Sequence, residues 1–311
     1  MNRMVTSLIL AMLFNSAMAQ VSQAPSQRHR PTIERPTLSS VELHDVARRV
    51  TVLISERNAQ GETSNIGSGV WLAEGLVATC WHVVKNKKGV IKISLGSGDV
   101  VTFGEESVAT GNFLDYTATV VASDPAADVA ILKTEQNPFK SHQTLVRTPK
   151  QEIKPKLGVA RIDKNIPAAG TLTVLSGYPL SGWDLVSQTG NIAGTSVVPP
   201  NAVIESGNPI KGVRIMVSVV SNPGNSGGPV LDEHGSLIGI QEGNLPSPVK
   251  DETPTQAVYL RPKKDAAGNV LQDAQGRIQM DAAPMFQNSG ISLVVPASMI
   301  TPLLKQAQAT K

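Results

Sequence analysis

Short apolar runs, separated by turns rich in glycine and proline, fill most of the chain from residue 66 onward. Some of them alternate apolar and polar residues, as strands with one buried face do, and all are shorter than a typical helix. The predicted strands cover residues 66–72, 76–79, 90–95, 118–122, 129–132, 171–175, 213–220, 230–231, 237–240 and 291–295. Many short strands joined by tight turns indicate an all-β protein, built as a sandwich or a barrel.

Two helical patterns flank this β-rich region. Ser39 and Glu42 have the spacing of a capping box, and apolar residues follow at helical spacing as far as Val50. After Pro296, residues 298–308 predict a second short helix whose apolar face would pack inward.

The N-terminal residues have the character of an export signal rather than of a folded element. Arg3, a mostly apolar stretch over 4–14 and the triplet Ala17-Met18-Ala19 predict a signal peptide over residues 1–19, cleaved after Ala19. Residues 20–38 are rich in Ser, Gln, Arg and Pro and predict a flexible lead-in. We therefore expect a periplasmic or secreted protein.

Two later stretches interrupt the strands. Residues 134–168 are rich in Lys, Gln and Pro, and we expect them to include the crossing between two halves of the fold. Residues 244–288 form a long polar insertion in which 258–260 and 276–280 could pair as a small hairpin. This insertion is either a rim over a cleft or a solvated excursion. The folded domain is expected over 39–305, with a tail at 306–311.

Composition narrows the class of protein. The 311 residues are 41% hydrophobic and 17% charged, with a formal net charge of +3. This balance suits a globular protein and gives no reason to expect a nucleic-acid partner. No apolar run after the signal peptide is long enough to predict stable membrane insertion. The one cysteine, Cys80, cannot form an internal disulfide, and we expect a buried, inert thiol.

Three segments carry residues suited to acyl transfer, and they come in the order His, Asp, Ser. His82 follows an apolar strand, Asp128 precedes the run Val-Ala-Ile-Leu, and Ser226 lies in Gly-Asn-Ser-Gly-Gly-Pro. A serine hydroxyl needs a base to take its proton, and that base needs a carboxylate to orient it. The negative charge that develops in the reaction needs converging N–H groups, which glycines around the serine permit.

Each segment also has a structural interpretation. His82 alone is more often structural, and an aspartate before a strand is often only a turn cap. The glycine-rich segment could be a plain turn or a phosphate loop, but a phosphate loop needs a Lys-Ser/Thr pair and a following helix, which are missing. Asp124 is a rival carboxylate, although it precedes Pro125. The three segments together, 46 and 98 residues apart, make coincidence a poor explanation.

Together the segments resemble the trypsin-like peptidases, and within them the bacterial HtrA-type branch, over about residues 41–305. The resemblance implies two six-stranded antiparallel β-barrels, at about 50–145 and 168–296, with the site between them. It implies that His82 is the general base, that Asp128 orients it and that Ser226 attacks. The oxyanion hole then lies at Gly224, Asn225 and Ser226, formed by the N–H groups of the first and last.

This resemblance implies a serine endopeptidase that acts on proteins or peptides through an acyl-enzyme, without a cofactor or metal. It places Val220, Ile240, Gln241 and Ser292 at the specificity pocket. Because Val220 is uncharged, we expect cleavage after small or medium apolar residues and not after Lys or Arg. Asn225 stands where digestive relatives carry an aspartate that pairs with a new N-terminus, so activation by propeptide cleavage is not expected.

The sequence departs from the HtrA-type pattern in one further respect. About 15 residues follow Pro296, so we do not expect the PDZ domain that such proteins usually carry. The oligomeric state stays open. An alternative function is a catalytically silent β-barrel that binds peptides or misfolded proteins. An esterase is disfavoured, because that class needs the order Ser, Asp, His.

Overall fold

A computed structural model of the protein describes residues 35–95, 114–141, 145–148, 151–153, 156–180, 184–198, 212–246, 258–262, 271, 273, 275, 279–284 and 288–309. The chain divides into two compact units, Met1–Pro36 and Thr37–Lys311, and the described helices and strands lie in the second. The predicted signal peptide and residues 20–34 of the predicted lead-in lie outside the described residues.

Strands dominate this second unit, as the short apolar runs predicted. The helices are α1 (Ser40–Val50), α2 (Trp81–Val84) and α3 (Ala297–Ala309), with a 3-10 turn at Pro138–Lys140. The strands are β1 (Thr51–Arg57), β2 (Thr63–Ala73), β3 (Leu76–Thr79), β4 (Val90–Leu95), β5 (Leu114–Asp124), β6 (Val129–Thr134), β7 (Leu145–Thr148), β8 (Gln151–Ile153), β9 (Arg161–Ile162), β10 (Leu172–Gly177), β11 (Val186–Val198), β12 (Gly212–Val217), β13 (Pro229–Asp232), β14 (Ser236–Pro246), β15 (Val258–Pro262), β16 (Met280–Pro284) and β17 (Asn288–Pro296).

The first barrel closes six antiparallel strands in the order β1-β2-β3-β6-β5-β4. Strand β4 returns to β1, where Ile54 pairs with Ile93, so the sheet has no open edge. Its interior contains Val52, Ile54, Val77 and Trp71, all without exposed surface. The Trp71 ring meets Phe139 edge to face, with centroids 5.4 Å apart.

The second barrel closes β13-β10-β11-β12-β17-β14, since β13 also pairs with β14. Its own apolar cluster includes Leu175, Ile215, Val230 and Val294. A seventh short strand, β9, adds to β14 in parallel. The predicted fold class, all-β with two six-stranded antiparallel barrels, is confirmed.

The terminal helices also match their predictions. In α1 the Ser39 hydroxyl accepts the Glu42 N–H, and the Glu42 carboxylate accepts the Ser39 N–H, so the capping box is complete. Helix α3 buries Ile300, Leu303 and Leu304. It packs against β5 and β6 of the first barrel and β14 of the second, and thereby bridges the two.

Several details differ from the predicted elements. Strands β1, β7, β8, β9 and β11 were not among the predicted strands, and His82 lies in a one-turn helix, α2, that was not predicted. The predicted hairpin in the insertion is present, but its second strand lies at Met280–Pro284 rather than 276–280. Pro262 pairs opposite Met280, and proline cannot donate a ladder hydrogen bond, so the ladder ends there.

Candidate active site

Asp128 ends a tight turn between β5 and β6. Asp124 caps this turn, because its Oδ1 accepts the N–H groups of Ala126 and Ala127 at 3.0 and 3.1 Å. Asp128 has φ of +58°, a left-handed conformation that aspartate tolerates better than most residues. Its side chain is fully buried, whereas that of Asp124, the rival carboxylate, is exposed. The turn thus gives the two carboxylates different tasks.

His82 lies in α2, directly after β3, and is bound to Asp128 twice. Its main-chain N–H donates to Asp128 Oδ1 at 2.8 Å, and its ring Nδ1 lies 2.7 Å from Asp128 Oδ2. The N–H of Trp81 donates to the Asp128 carbonyl at 3.1 Å. An ionised carboxylate only accepts hydrogen bonds, so the ring proton is assigned to Nδ1 and Nε2 keeps its lone pair.

Ser226 lies in a turn that only glycine can complete on both sides. Gly224 and Gly227 have φ of +101° and +87°. A Cβ on Gly224 would lie 2.3 Å from the Tyr178 carbonyl oxygen, and one on Gly227 would lie 2.2 Å from that of Ser68. Side chains at these positions would clash with the backbone that surrounds Ser226.

Ser68, from β2 of the first barrel, binds this turn of the second. Its N–H donates to the Ser226 carbonyl at 2.9 Å, and its hydroxyl donates to the Gly224 carbonyl at 2.7 Å. The same hydroxyl accepts the Tyr178 N–H at 2.9 Å. The turn that carries Ser226 is therefore held from both barrels.

The Ser226 hydroxyl donates to the main-chain oxygen of Glu242 at 3.2 Å. Among the hydrogen bonds of the described residues, none joins Ser226 Oγ to His82. The aspartate–histidine hydrogen bond of a catalytic triad is thus present, whereas the serine hydroxyl is hydrogen-bonded to the main chain of Glu242 instead of to the histidine.

The three residues predicted for the oxyanion hole divide into two kinds. The Asn225 N–H donates to Asn222 O at 3.0 Å and is used within the turn. In the described ranges, the N–H groups of Gly224 and Ser226 have no hydrogen-bond partner. Two N–H groups without an internal acceptor, on either side of Asn225, are available to an oxygen of a bound molecule.

A buried ion pair close to His82 and Asp128 was missed by the sequence analysis. Arg214 on β12 and Glu242 on β14 have 0% and 2% exposure, and their side chains form two hydrogen bonds of 2.5 and 2.8 Å. Burial raises the pKa of Glu242; Arg214 lowers it, the charge of Asp128 raises it and His82 lowers it. The signal available in the sequence was a charged residue, Arg214, inside the predicted strand 213–220, and one of opposite charge, Glu242, two residues after the predicted strand 237–240.

The residues predicted for the specificity pocket have different surroundings. Val220 is 49% exposed, whereas Ile240 has no exposed surface and lies in the core of the barrels. Ile240 therefore has no surface with which to touch a substrate in this structure. Gln241 and Ser292 are buried in a polar network, in which Gln241 Nε2 donates to Ser221 Oγ at 2.8 Å and Ser292 Oγ donates to the Val219 carbonyl at 2.9 Å.

Asn244 completes this network, and the sequence analysis had not singled it out. It accepts from the Ser221 hydroxyl, and its Nδ2 donates to the Ser221 carbonyl at 2.9 Å. Ser292 Oγ lies 3.4 Å from Asn244 Oδ1. These contacts involve uncharged groups only.

Cys80, His82 and Asp128 are the described residues whose possible ligand atoms cluster closely enough for a metal, within 4.8 Å of one another. The Cys80 thiol has no exposed surface and donates to Gln241 O at 3.2 Å. Burial, then the charges of Asp128 and Glu242, raise its pKa well above the ordinary value. A metal would need the thiolate and would break the His82–Asp128 bond, so these residues suit proton transfer better. The prediction that Cys80 is buried is confirmed.

Two closed antiparallel barrels, with a histidine–aspartate pair on one and a glycine-bounded serine on the other, define the class of chymotrypsin-like serine peptidases. Residues 67–240 match the sequence family described as the trypsin-like peptidase domain. The chain therefore belongs to the trypsin-like peptidase family.

Similar proteins agree with this assignment. Protease Do-like 8, chloroplastic, of Arabidopsis thaliana is 30% identical over 66% of this chain and 40% of its own length. The "Probable periplasmic serine endoprotease DegP-like" of a Marinomonas species is 27% identical over 58% of this chain and 30% of its own. The active form of the Rv3671c protease from M. tuberculosis has the same fold, with a TM-score of 0.54, 16% identity and coverage of 90% and 92%.

The chain thus spans less than half the length of these two curated relatives. Further relatives carry the name HtrA, and the predicted resemblance to that branch is confirmed. In the part of the chain that the structure describes, no helix has the length and apolar character needed to cross a membrane.

Proposed function

We propose that the protein is an exported serine endopeptidase that hydrolyses peptide bonds through His82, Asp128 and Ser226. The observation that carries the proposal is the pair of hydrogen bonds between Asp128 and His82. One carboxylate oxygen fixes the main chain of the histidine and the other fixes its ring, at 2.8 and 2.7 Å. A base oriented in this way can take a proton from a nucleophile. Ser226 lies in the glycine turn where the second barrel contacts the first through Ser68.

The reaction proceeds in two halves. His82 Nε2 takes the Ser226 proton while Oγ bonds to the substrate carbonyl carbon, whose oxygen becomes negative and accepts the N–H groups of Gly224 and Ser226. The carbon–nitrogen bond then breaks, and the imidazolium returns its proton to the leaving amine. Water repeats these steps on the acyl-enzyme and releases the acid, with Asp128 stabilising the imidazolium throughout. No cofactor is needed.

The hydrogen bond from Ser226 Oγ to Glu242 O suits a resting state of the enzyme. Substrate binding must break this hydrogen bond before Ser226 can react. A rotation of the serine side chain exchanges the Glu242 carbonyl for His82 Nε2. The same hydrogen bond is the observation that favours the alternative, a silent barrel that only binds peptides, in which the hydroxyl never leaves Glu242.

For substrate preference we propose cleavage after small or medium apolar residues. The exposed Val220 offers an apolar contact to a substrate side chain. The polar side chains predicted or found nearby form hydrogen bonds with one another; they are Ser221, Gln241, Asn244 and Ser292. No charge among them would attract a lysine or arginine side chain. A peptide library checks this, and strong selection for basic or acidic residues would contradict it.

Export rests on residues 1–19 and places the mature enzyme in the periplasm or outside the cell. N-terminal sequencing of protein recovered from the periplasm should begin at Gln20. A mature protein that retains Met1 would contradict this part of the proposal.

A fluorophosphonate probe tests the catalytic proposal, since it reacts only with an activated serine. We expect labelling of the folded protein and none of Ser226→Ala. Ser298→Ala, which removes an exposed serine from α3, is the matched control and should label like the wild type. Wild type that stays unlabelled while it still binds peptides would support the silent alternative.

A further inference from the structure

The buried pair Arg214–Glu242 has no task in the reaction scheme above. Its two side chains come from different strands of the second barrel and are bound through Nε to Oε2 and Nη2 to Oε1. Burying two charges is costly, and apolar residues of similar size are often as stable or more so. The position of the pair, between the two parts of the triad, suggests a task beyond stability.

Arg214 connects the second barrel with the turn that carries Asp128. Its Nη2 donates to the carbonyl of Ala127 at 3.2 Å, and Ala127 precedes Asp128 directly. Its Nη1 donates to the carbonyl of its neighbour Val213 at 3.3 Å and contacts the sulfur of Met299 on α3 at 3.9 Å. A planar guanidinium bound on three sides has a fixed orientation, so it fixes the Ala127 carbonyl as well.

Glu242 connects the same pair with the nucleophile. Its main-chain oxygen accepts the Ser226 hydroxyl, while its carboxylate holds Arg214. Arg214 and Glu242 therefore join the turn of Asp128 to the acceptor of Ser226 through one continuous set of hydrogen bonds.

Charge gives the pair a second effect. The groups that face His82 and Glu242 are Asp128 from the β5–β6 turn, Cys80 before α2, and Arg214 from β12. Glu242 therefore experiences the charges of Asp128 and His82 as well as the charge of its partner Arg214. Without Arg214, the buried Glu242 carboxylate would lose the partner that lowers its pKa, and its neutral form would be favoured.

We propose that Arg214 and Glu242 are a positioning pair for the triad, which fixes the Asp128 turn against the strand that binds Ser226 and balances the charge around His82. This inference rests on the proposed peptidase function. Neither side chain touches the substrate; both act through Asp128, His82 and Ser226.

The test measures fluorophosphonate labelling against pH and probe concentration. In Glu242→Gln the main-chain acceptor of Ser226 remains but a negative charge near His82 is lost. The imidazolium is then less stable, so the acid limb of labelling should move to lower pH by about one unit. Glu56→Gln, which removes the partner of Lys87 at 3.3 Å on the first barrel, is the matched control and should leave the profile unchanged.

A second variant guards against misfolding. Arg214→Met with Glu242→Leu removes both charges and should fold, because apolar replacement of a buried pair is tolerated. Its maximal labelling rate should fall roughly ten- to a hundredfold, as for a misplaced catalytic group, while the half-saturating probe concentration stays constant. Melting curves show whether each variant is folded, and the final amount of labelled protein gives the fraction of molecules that react. Labelling rates are then compared for folded, reactive molecules only.

The outcomes separate the two proposals. Wild type without labelling at Ser226 overturns the peptidase function, and the positioning role with it. Wild type that labels, with a folded double variant of equal rate or a Glu242→Gln profile like that of the control, overturns the positioning role alone.

Discussion

Gly227, next to Ser226, gives a sharp test of how closely the two barrels meet. Alanine there would adopt φ of +87° and place its Cβ 2.2 Å from both Ser68 O and Thr79 Oγ1. The left-handed conformation costs about 1–2 kcal/mol, and overpacking against fixed backbone adds about 1–3 kcal/mol. The Thr79 hydroxyl would also lose its 2.8 Å bond to Ser68 O, worth about 1 kcal/mol. We expect Gly227→Ala to lose roughly 3–6 kcal/mol of unfolding free energy.

Gly170 supplies the control for the backbone effect alone. It has φ of +91°, and a Cβ on it would meet nothing within 4 Å. Gly170→Ala should therefore lose only about 1–2 kcal/mol. The loss of unfolded-chain entropy is the same in both variants and cancels in the difference. Urea unfolding measures both values, and equal losses would refute the close approach between Gly227 and Ser68.

Four further predictions concern the helix cap, the buried thiol (two of them) and the proposed triad. Ser39→Ala removes the capping box and should cost about 1 kcal/mol in urea unfolding, while Ser39→Thr should recover most of it; an unchanged midpoint for alanine would contradict the cap. Cys80 should resist iodoacetamide at pH 8 in the folded protein and react in urea, and labelling of the native form would show that burial does not protect it. Burial raises the pKa of the Cys80 thiol, so at alkaline pH the folded state keeps a proton that the unfolded chain releases. The free energy of unfolding should therefore fall as the pH rises above the ordinary thiol pKa. In melting curves recorded at several pH values, Cys80→Ala should not show this fall. Asp128→Asn should lower the rate of fluorophosphonate labelling by about 10³- to 10⁴-fold through the wrong histidine tautomer, whereas Asp124→Asn should change it little; equal effects would refute the assignment of the two carboxylates.

The sequence predicted those parts of the fold that have a clear local pattern. The capping box at Ser39 and the strands around Val77 and Ile131 could be recognised because alternation or spacing marks them. Strand β1 was missed because its first five residues, from Thr51 to Ser55, are all buried, so it shows no alternation after the helix. Strand β11 was missed because its polar residues and Gly190 and Gly194 look like a loop.

The candidate site divides in the same way. His82, Asp128 and Ser226 were visible because each lies in a local motif, and order and spacing joined them. Arg214 and Glu242 could not be paired from sequence, because their contact depends on β12 and β14 both flanking β17 in the closed barrel. The burial of Ile240 depends likewise on the packing of β14 between neighbours.

Ser68 has a consequence for the order in which this protein matures. Because Ser68 of the first barrel binds the main chain of both Gly224 and Ser226, the second barrel alone lacks two of the hydrogen bonds that hold the Ser226 turn. A chain still emerging from synthesis, or one with a single barrel collapsed, lacks the hydrogen bonds that shape the turn. Any hydrolysis by Ser226 therefore begins only after both barrels have docked. A partly folded chain would not cleave other proteins.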